Sequence, residues 1–395
     1  MPLGASRAGM LGAAGSAGAG GFLAWGGLVR DFVSTTPSVS GPMRAHVFYG
    51  NGKFRVVEDA ASGSKAMHYC IVAGGGATSN RGPHNGGSGG AGGGGCRTSF
   101  TGSSTQLPTI PVSTSGGPSS DGVYPIVVGA GGAMARHYPA SWNWASGNWY
   151  EFGVGNAASQ QYSGGYPGTD PNGIPAWTNS TGNATAGGPG WNTVSNGTPS
   201  AALGLVATGG GTAQYSNGGK PGGSGGGGYP TNGTTNGQCF GAQNNSNGYA
   251  WTPQQGNAGG NGAGPVSSGW WSTFYHGSGG GGGYGSAGTS ANYGGGAGGT
   301  GVVFPFVSVN ALYAAGGGGG SGHNAGTPGG AAGAGQGGGA PGLPSGTPYQ
   351  QMNCTRGAAG SGGGAGGGWE GNSSTNYNMP ASGGSGIVVI AYLKD

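Results

Sequence analysis

The sequence predicts a mainly β and irregular fold: a small β core with packed glycine-rich polyproline-II-type helices, long aromatic loops and very little α-helix. Three observations carry that expectation. Gly fills 108 of the 395 positions, and each Gly costs a helix roughly 1 kcal/mol relative to Ala. Charged residues are only 5% of the chain, against roughly 25% in an ordinary globular domain. Gly tracts alternate with aromatic, Asn- and Ser-rich segments, and β-branched runs stand near both ends. No strict Gly-X-Y period is present, which excludes collagen. The 10 Trp, 17 Tyr and 10 Phe are too many for a chain kept disordered by charge.

Four zones follow in order. Residues 1–41 are rich in small residues and then bulkier, and read as an attachment segment with a short helix around Ala5–Ala14. The exposed-looking cluster Phe22, Leu23, Trp25, Leu28 and Val29 marks it as the docking end. Its longest unbroken stretch, residues 20–29, is too short to span a bilayer. No cleavable leader is evident, so neither membrane insertion nor a secretion route is expected.

Residues 42–131 form a β-rich module. Arg44–Tyr49 and Lys53–Glu58 flank Gly50-Asn51-Gly52, the pattern of a β-hairpin. Met67–Ala73 reads as the next strand and runs into Gly74–Gly76. Thr109–Ser113 and Val123–Val128 bracket a Ser/Gly/Pro turn, a second expected hairpin.

Residues 132–385 hold the tracts 222–228, 279–283, 316–320 and 362–368, which continue the pattern begun at 86–95. Val302–Leu312 is an embedded apolar run expected as a buried strand or hairpin. Residues 386–395 close the chain with a β-branched strand that returns to the β core.

Such tracts have two physical readings. One is flexible linker. The other is ordered polyproline II, which has no internal hydrogen bonds. Its N–H and C=O groups point outward and can pair with neighbouring helices wherever Gly allows close approach. Tracts that end at apolar or aromatic residues, and a final tract that feeds a strand, favour the ordered reading.

Chemistry-bearing motifs are sparse. GxGxxG matches carry no information in a chain this rich in Gly. Gly218-Gly219-Lys220 is followed by Pro221 rather than the Ser/Thr of a phosphate loop. The six His form no metal or catalytic spacing, and no acidic pair stands out. Neither an enzyme activity nor a cofactor or metal is expected. Net charge is +4 with no basic run, so no nucleic-acid partner is expected. Cys70, Cys96, Cys239 and Cys354 lie far apart in sequence; disulfides and free buried thiols both remain open.

The aromatic segments remain. Trp142, Trp144, Trp149 and Tyr150 crowd one, and Trp270, Trp271, Phe274 and Tyr275 crowd another. They serve either as local core that staples Gly-rich loops or as a contact surface of aromatic anchors among Asn, Ser and Gly.

The pieces HVFYGNGKFRVVE, HYCIVAGGG, YPIVVGAGG and GGSGIVVIAYL, in that order, carry a likeness over residues 44–395. The chain resembles the glycine-rich tail-fibre proteins of tailed bacteriophages, and is similar in architecture to their polyglycine receptor-binding tip adhesins. That resemblance implies a non-enzymatic protein of the virion tail appendage that attaches the particle to its host. It implies other tail proteins as partners through the N-terminal segment, and a host-surface glycan or outer-membrane protein as receptor. A homo-oligomer is expected, a trimer favoured. A purely structural fibre or adaptor, or an extracellular glycine-rich matrix protein, are the alternatives. The long insertion Tyr138–Trp191, with few Gly tracts, departs from the pattern.

Overall fold

The computed structural model describes residues 21–36, 39–78, 89–100, 106–135, 193–194, 196–214, 218–228, 254–262, 277–291, 295–303, 312–313, 356–367 and 381–394. About 36% of these are strand and none is helix, so most of the ordered backbone is something other than sheet ladder. The expected helix at Ala5–Ala14 and the tract 316–320 lie outside the described residues.

In chain order the strands are β1 (Leu23–Trp25), β2 (Leu28–Thr36), β3 (Val39–Phe48), β4 (Gly52–Glu58), β5 (Lys65–Val72), β6 (Cys96–Thr98), β7 (Ile110–Val112) and β8 (Val123–Ile126). Then come β9 (Met134–Ala135), β10 (Thr193–Val194), β11 (Ser200–Ala202), β12 (Leu205–Ala207), β13 (Ala213–Gln214), β14 (Gly218–Gly219), β15 (Val302–Val303), β16 (Leu312–Tyr313) and β17 (Ile387–Leu393). The larger sheet runs β2-β3-β17-β5-β6, with β7 on the end of β5; a smaller sheet runs β1-β4-β8. All these pairings are antiparallel.

The two sheets share one core. Phe54, Val56, Tyr124 and Ile126 from the smaller meet Tyr69, Ile71, Val388 and Ile390 from the larger. A second cluster covers the other face of the larger sheet, where Val47, Cys70, Val72, Phe100, Ile387 and Val389 pack with Tyr284. That double cover explains β17. Its first six residues are all buried, as a strand apolar on both faces must be.

Both expected hairpins are corrected by the structure. β3 and β4 lie in different sheets, and the Gly50-Asn51-Gly52 turn is a corner between them. The burial patterns give the reason. β4 alternates strictly, with Phe54 and Val56 inward and Lys53, Arg55 and Val57 outward. The last four residues of β3 are all buried. A strand with one wet face and a strand with two dry faces belong to different sheets. Asn51 holds the corner, its Oδ1 accepting the Val128 N–H at 2.9 Å. Likewise β7 pairs with β5 and β8 with β4, not with each other. The Tyr124 hydroxyl bridges them instead by accepting the Ser113 N–H at 3.1 Å.

The N-terminal zone is corrected too. Its described part is not a separate segment, because β1 pairs with β4 and β2 pairs with β3 over Leu28–Thr36. The boundary expected at Gly41 falls inside β3. Gly26 and Gly27, at φ 126° and 62°, turn the chain from one sheet to the other. A Cβ at Gly27 would lie 2.7 Å from the Val47 carbonyl oxygen. The expected run Val302–Leu312 closes as an antiparallel pair, with Val302 opposite Tyr313.

The glycine tracts are bonded laterally with a period of three. The N–H groups of Gly90 and Gly93 reach the carbonyls of Gly279 and Gly282. Those of Ala91 and Gly94 reach Ala365 and Gly362, and those of Gly92 and Gly95 reach Gly211 and Thr208. Ser224 and Gly227 bond Gly93 and Gly90, while Gly225 and Gly228 bond Asn257 and Gly260. A strand would address its neighbours with period two and an α-helix would bond to itself. Three residues per turn without internal bonds is polyproline II. Residues 73–78 sit at the centre, bonded to residues in 92–95, 129–132, 198, 210–213, 362–365 and 381–384. Close approach explains the composition, since a Cβ on Gly76 would lie 2.6 Å from the Gly211 carbonyl carbon.

Sheet and lattice are continuous. β5 runs into residues 73–78, β17 follows residues 381–386, and β6 follows residues 89–95. Strands that neighbour one another in the sheet leave it as neighbouring helices. Val72 faces both Ile387 and Cys96 in the ladders. Beyond it Gly75 bonds Gly384, and Ala73 and Gly76 bond Gly95 and Gly92.

Candidate interaction surface

The expected contact residues Trp142, Trp144, Trp149, Tyr150, Trp270, Trp271, Phe274 and Tyr275 lie outside the described residues. The docking cluster of the N-terminal zone is described, and the structure divides it. Phe22 is core: it is buried and packs edge-to-face on Tyr392 with ring centroids 4.8 Å apart. Leu23 is half-buried. Trp25, Leu28 and Val29 are exposed.

Strand alternation produces the division. Ala24 opposes Val56 and points into the sandwich, so Trp25, opposite Arg55, points out. Trp25 therefore shares the outer face of the smaller sheet with Lys53, Arg55 and Val57, while Val123 and Pro125 of β8 lie half-buried beside them. Neither Lys53 nor Arg55 enters an ion pair among the described residues. Sequence reasoning missed these two cations and Val33, which is 70% exposed. The alternation of Lys53–Glu58 already held the signal for the cations.

On the neighbouring rim one carboxylate serves two cations. Asp31 on β2 accepts from Arg44 Nε at 2.8 Å and Lys394 Nζ at 3.0 Å. The Arg44 hydrogen bond, with Lys394 beside it, holds the Asp31 carboxyl down at about 2 despite some desolvation. The same hydrogen bond raises Arg44.

Buried polar groups serve the framework. The His46 ring lies between Phe54 and Tyr392. Its Nδ1 is 2.7 Å from the Gly26 carbonyl oxygen, so in the neutral ring Nδ1–H donates to the Gly26 corner. Burial lowers its pKa. Tyr69 donates to the Pro108 carbonyl at 2.9 Å, and burial pushes its hydroxyl up to about 12. The Ser99 hydroxyl lies 3.5 Å from His68 Nδ1. It already accepts the Tyr69 N–H at 2.9 Å, which makes it a backbone anchor.

Cys70 and Cys96 are free and buried on neighbouring strands. Burial, and a hydrogen bond between the two side chains, raise the Cys70 thiol well above its ordinary value. Cys239 and Cys354 lie outside the described residues. Among the described residues no group of three or more His, Cys, Asp or Glu could hold a metal ion. No described helix is long and apolar enough to cross a membrane. No protein family, curated protein or solved structure matches this chain.

Proposed function

We propose that this chain is a non-enzymatic appendage protein of a tailed-bacteriophage virion, acting in attachment to the host surface. The observation that supports the reading best is the laterally bonded glycine lattice growing out of a β sandwich. Such a lattice is stiff, because each helix is tied to several others. Most of its backbone-lining positions are Gly, which have no side chains with which to discriminate between partners. It suits a support whose specificity lies in the segments inserted between tracts. In this reading the aromatic segments Tyr138–Tyr150 and Gly269–His276 supply receptor contacts of the adaptable Trp/Tyr-with-Asn/Ser kind.

Docking to other tail proteins falls to residues 1–20 with the exposed Leu28 and Val29 of β2, and the protein works as a homo-oligomer, a trimer favoured. The test is gold-labelled antibody against the purified chain on virions that carry its gene, together with competition for adsorption. Label on the tail appendage and reduced adsorption in the presence of free protein are expected. Virions without label would overturn the proposal.

A further inference from the structure

We propose that the outer face of the β1-β4-β8 sheet is a binding site for an anionic polysaccharide, one whose sugar rings carry carboxylates. The inference rests on this face alone and holds whether or not the chain belongs to a virion.

The face has three properties that point to this occupant. First, it carries an isolated projecting ring. Trp25 is 55% exposed at the end of a short strand, and Gly26 follows it with no side chain to crowd the indole. An exposed aromatic face on a sheet offers a stacking platform for the C–H side of a sugar. Second, two cations stand beside that ring. Arg55 is directly opposite Trp25 in the ladder, and Lys53 follows two residues along on the same face. Cross-strand neighbours lie about 5 Å apart, and residues two apart on one strand about 7 Å apart. Ring and cations thus span on the order of 10 Å, the scale of a short stretch of glycan. Third, neither cation has an ion-pair partner. On the rim Arg44 and Lys394 share the Asp31 carboxylate, whereas Lys53 and Arg55 have no ion pair among the described residues. The carboxylate of Asp121, just before β8, accepts the Val123 N–H, and Glu58 stands opposite Leu23, beyond the bulge between Leu23 and Ala24.

A second copy of the chain related by a two-fold axis fits this face poorly. A two-fold contact would set the same patch against itself, bringing Lys53 and Arg55 against their own copies. An anionic polymer removes that repulsion. Val57, Val123 and Pro125 give its sugar rings an apolar floor around the charges.

The experiment uses the full-length protein and titrates alginate oligosaccharides, a polyuronate, with dextran as the neutral control. Binding to alginate and not to dextran is expected, weakening steeply between about 50 mM and about 500 mM salt. Trp25→Ala and the double variant Lys53→Gln/Arg55→Gln should each lose about tenfold or more in affinity. The double variant should also flatten the salt dependence. Its side chains are exposed, so its melting temperature should match the wild type and keep the test independent of folding. Equal affinity for alginate and dextran, or unchanged alginate affinity in the double variant, would overturn the proposal. So would a change of oligomeric state in that variant, read by light scattering, with glycan affinity intact: the face would then be an interface between copies.

Discussion

Gly76→Ala tests the lattice at its centre. The residue is not in the left-handed region, so Ala meets no backbone strain there and only space decides. The added Cβ would stand 2.6 Å from the Gly211 carbonyl carbon and 3.0 Å from the Gly210 carbonyl oxygen. Carbon atoms in contact settle at about 3.5–4.0 Å, so the helices of residues 73–78 and 208–213 must part by about 1 Å. That displacement strains the bonds that cross the gap, Gly210 to Gly74 at 2.8 Å and Ala213 to Ala77 at 3.3 Å. It also disturbs the bond from Gly76 to Gly92 at 2.9 Å.

Overpacking costs about 1–3 kcal/mol, and each buried group left unpaired about 1–3 kcal/mol more. A total of about 2–9 kcal/mol follows if one or two bonds fail. Gly50→Ala is the matched control, because a Cβ there meets nothing within 4 Å and its φ is ordinary. It should lie within about 0.5 kcal/mol of wild type. Urea midpoints at constant slope measure both. If the two variants unfold within about 0.5 kcal/mol of each other, the lattice is not a close-packed hydrogen-bonded body and the reasoning fails.

Other expectations follow from named contacts. His46 is held neutral by burial, so its folded pKa lies below the ordinary value of about 6.5. Its stabilisation is therefore complete above that value and is lost as pH falls through it toward the depressed one. Asp31, Arg44 and Tyr392 are the titratable neighbours; melting from pH about 7.5 to about 5.5 should fall more for wild type than for His46→Asn, and equal falls would remove His46 as the cause. Asp31→Asn should cost less than about 1 kcal/mol, because the cluster is solvent-exposed and screened. That small term is present above the ordinary carboxylate pKa of about 3.9 and disappears as pH falls toward about 2. Deleting residues 387–395 removes the strand between β3 and β5, and soluble folded protein should be lost; an unchanged melting curve would contradict its place in the sheet. Deleting residues 1–20 leaves β1 and β2 whole, so folding should persist while incorporation into virions fails; normal incorporation would move the docking site elsewhere.

Much of this architecture is legible in the sequence, but unevenly. The strands at Lys53–Glu58, Met67–Ala73 and Val123–Val128 announce themselves by β-branched or aromatic runs with Gly at one end, and the period-three lattice follows from Gly where backbones meet. Pairing is what the sequence hides. Gly50-Asn51-Gly52 has hairpin chemistry, yet the ladder it suggests does not form. The discriminating signal is the contrast between strict alternation in KFRVVE and the unbroken burial of AHVF, and local turn propensity outweighs that contrast on a first reading. The N-terminal zone misleads for a related reason. Its small residues dominate the composition, while LVRDFVSTT at 28–36 is β-branched enough to build an edge strand. Composition averaged over 41 residues conceals it. Trp25 and Phe22 looked alike as apolar residues three apart, and only the register of β1 separates the exposed ring from the core one.

The switch from sheet to lattice at Ala73 and Gly386 explains how so much Gly is ordered at all. Ordering a backbone costs roughly 1–2 kcal/mol per residue, and Gly loses the most freedom. An isolated tract has nothing to bond and stays flexible. Here the costly first step is already taken by side chains, because β5, β17 and β6 are aligned by Tyr69, Ile71, Val388 and Ile390 in one core and by Cys70, Val72, Cys96 and Val389 in the other. Residues 73–78, 381–386 and 89–95 emerge from those strands already side by side. Their first lateral bonds, Ala73 to Gly95 at 3.0 Å and Gly75 to Gly384 at 2.9 Å, therefore form at little further entropic cost. Once three helices are fixed, a rotation of about 120° per residue presents N–H and C=O groups above and below the plane of the sheet. The tracts at 208–213, 223–228 and 362–365 then add to surfaces that already exist. The expected order of loss follows. Weakening the β core, as with Val388→Ala, should release the lattice with it, whereas a clash confined to residues 295–301, which join the lattice through bonds to residues 278–289, should leave the sandwich protected. Hydrogen exchange on the two variants separates these outcomes, and protection of residues 90–95 surviving a melted sandwich would show that the lattice orders itself.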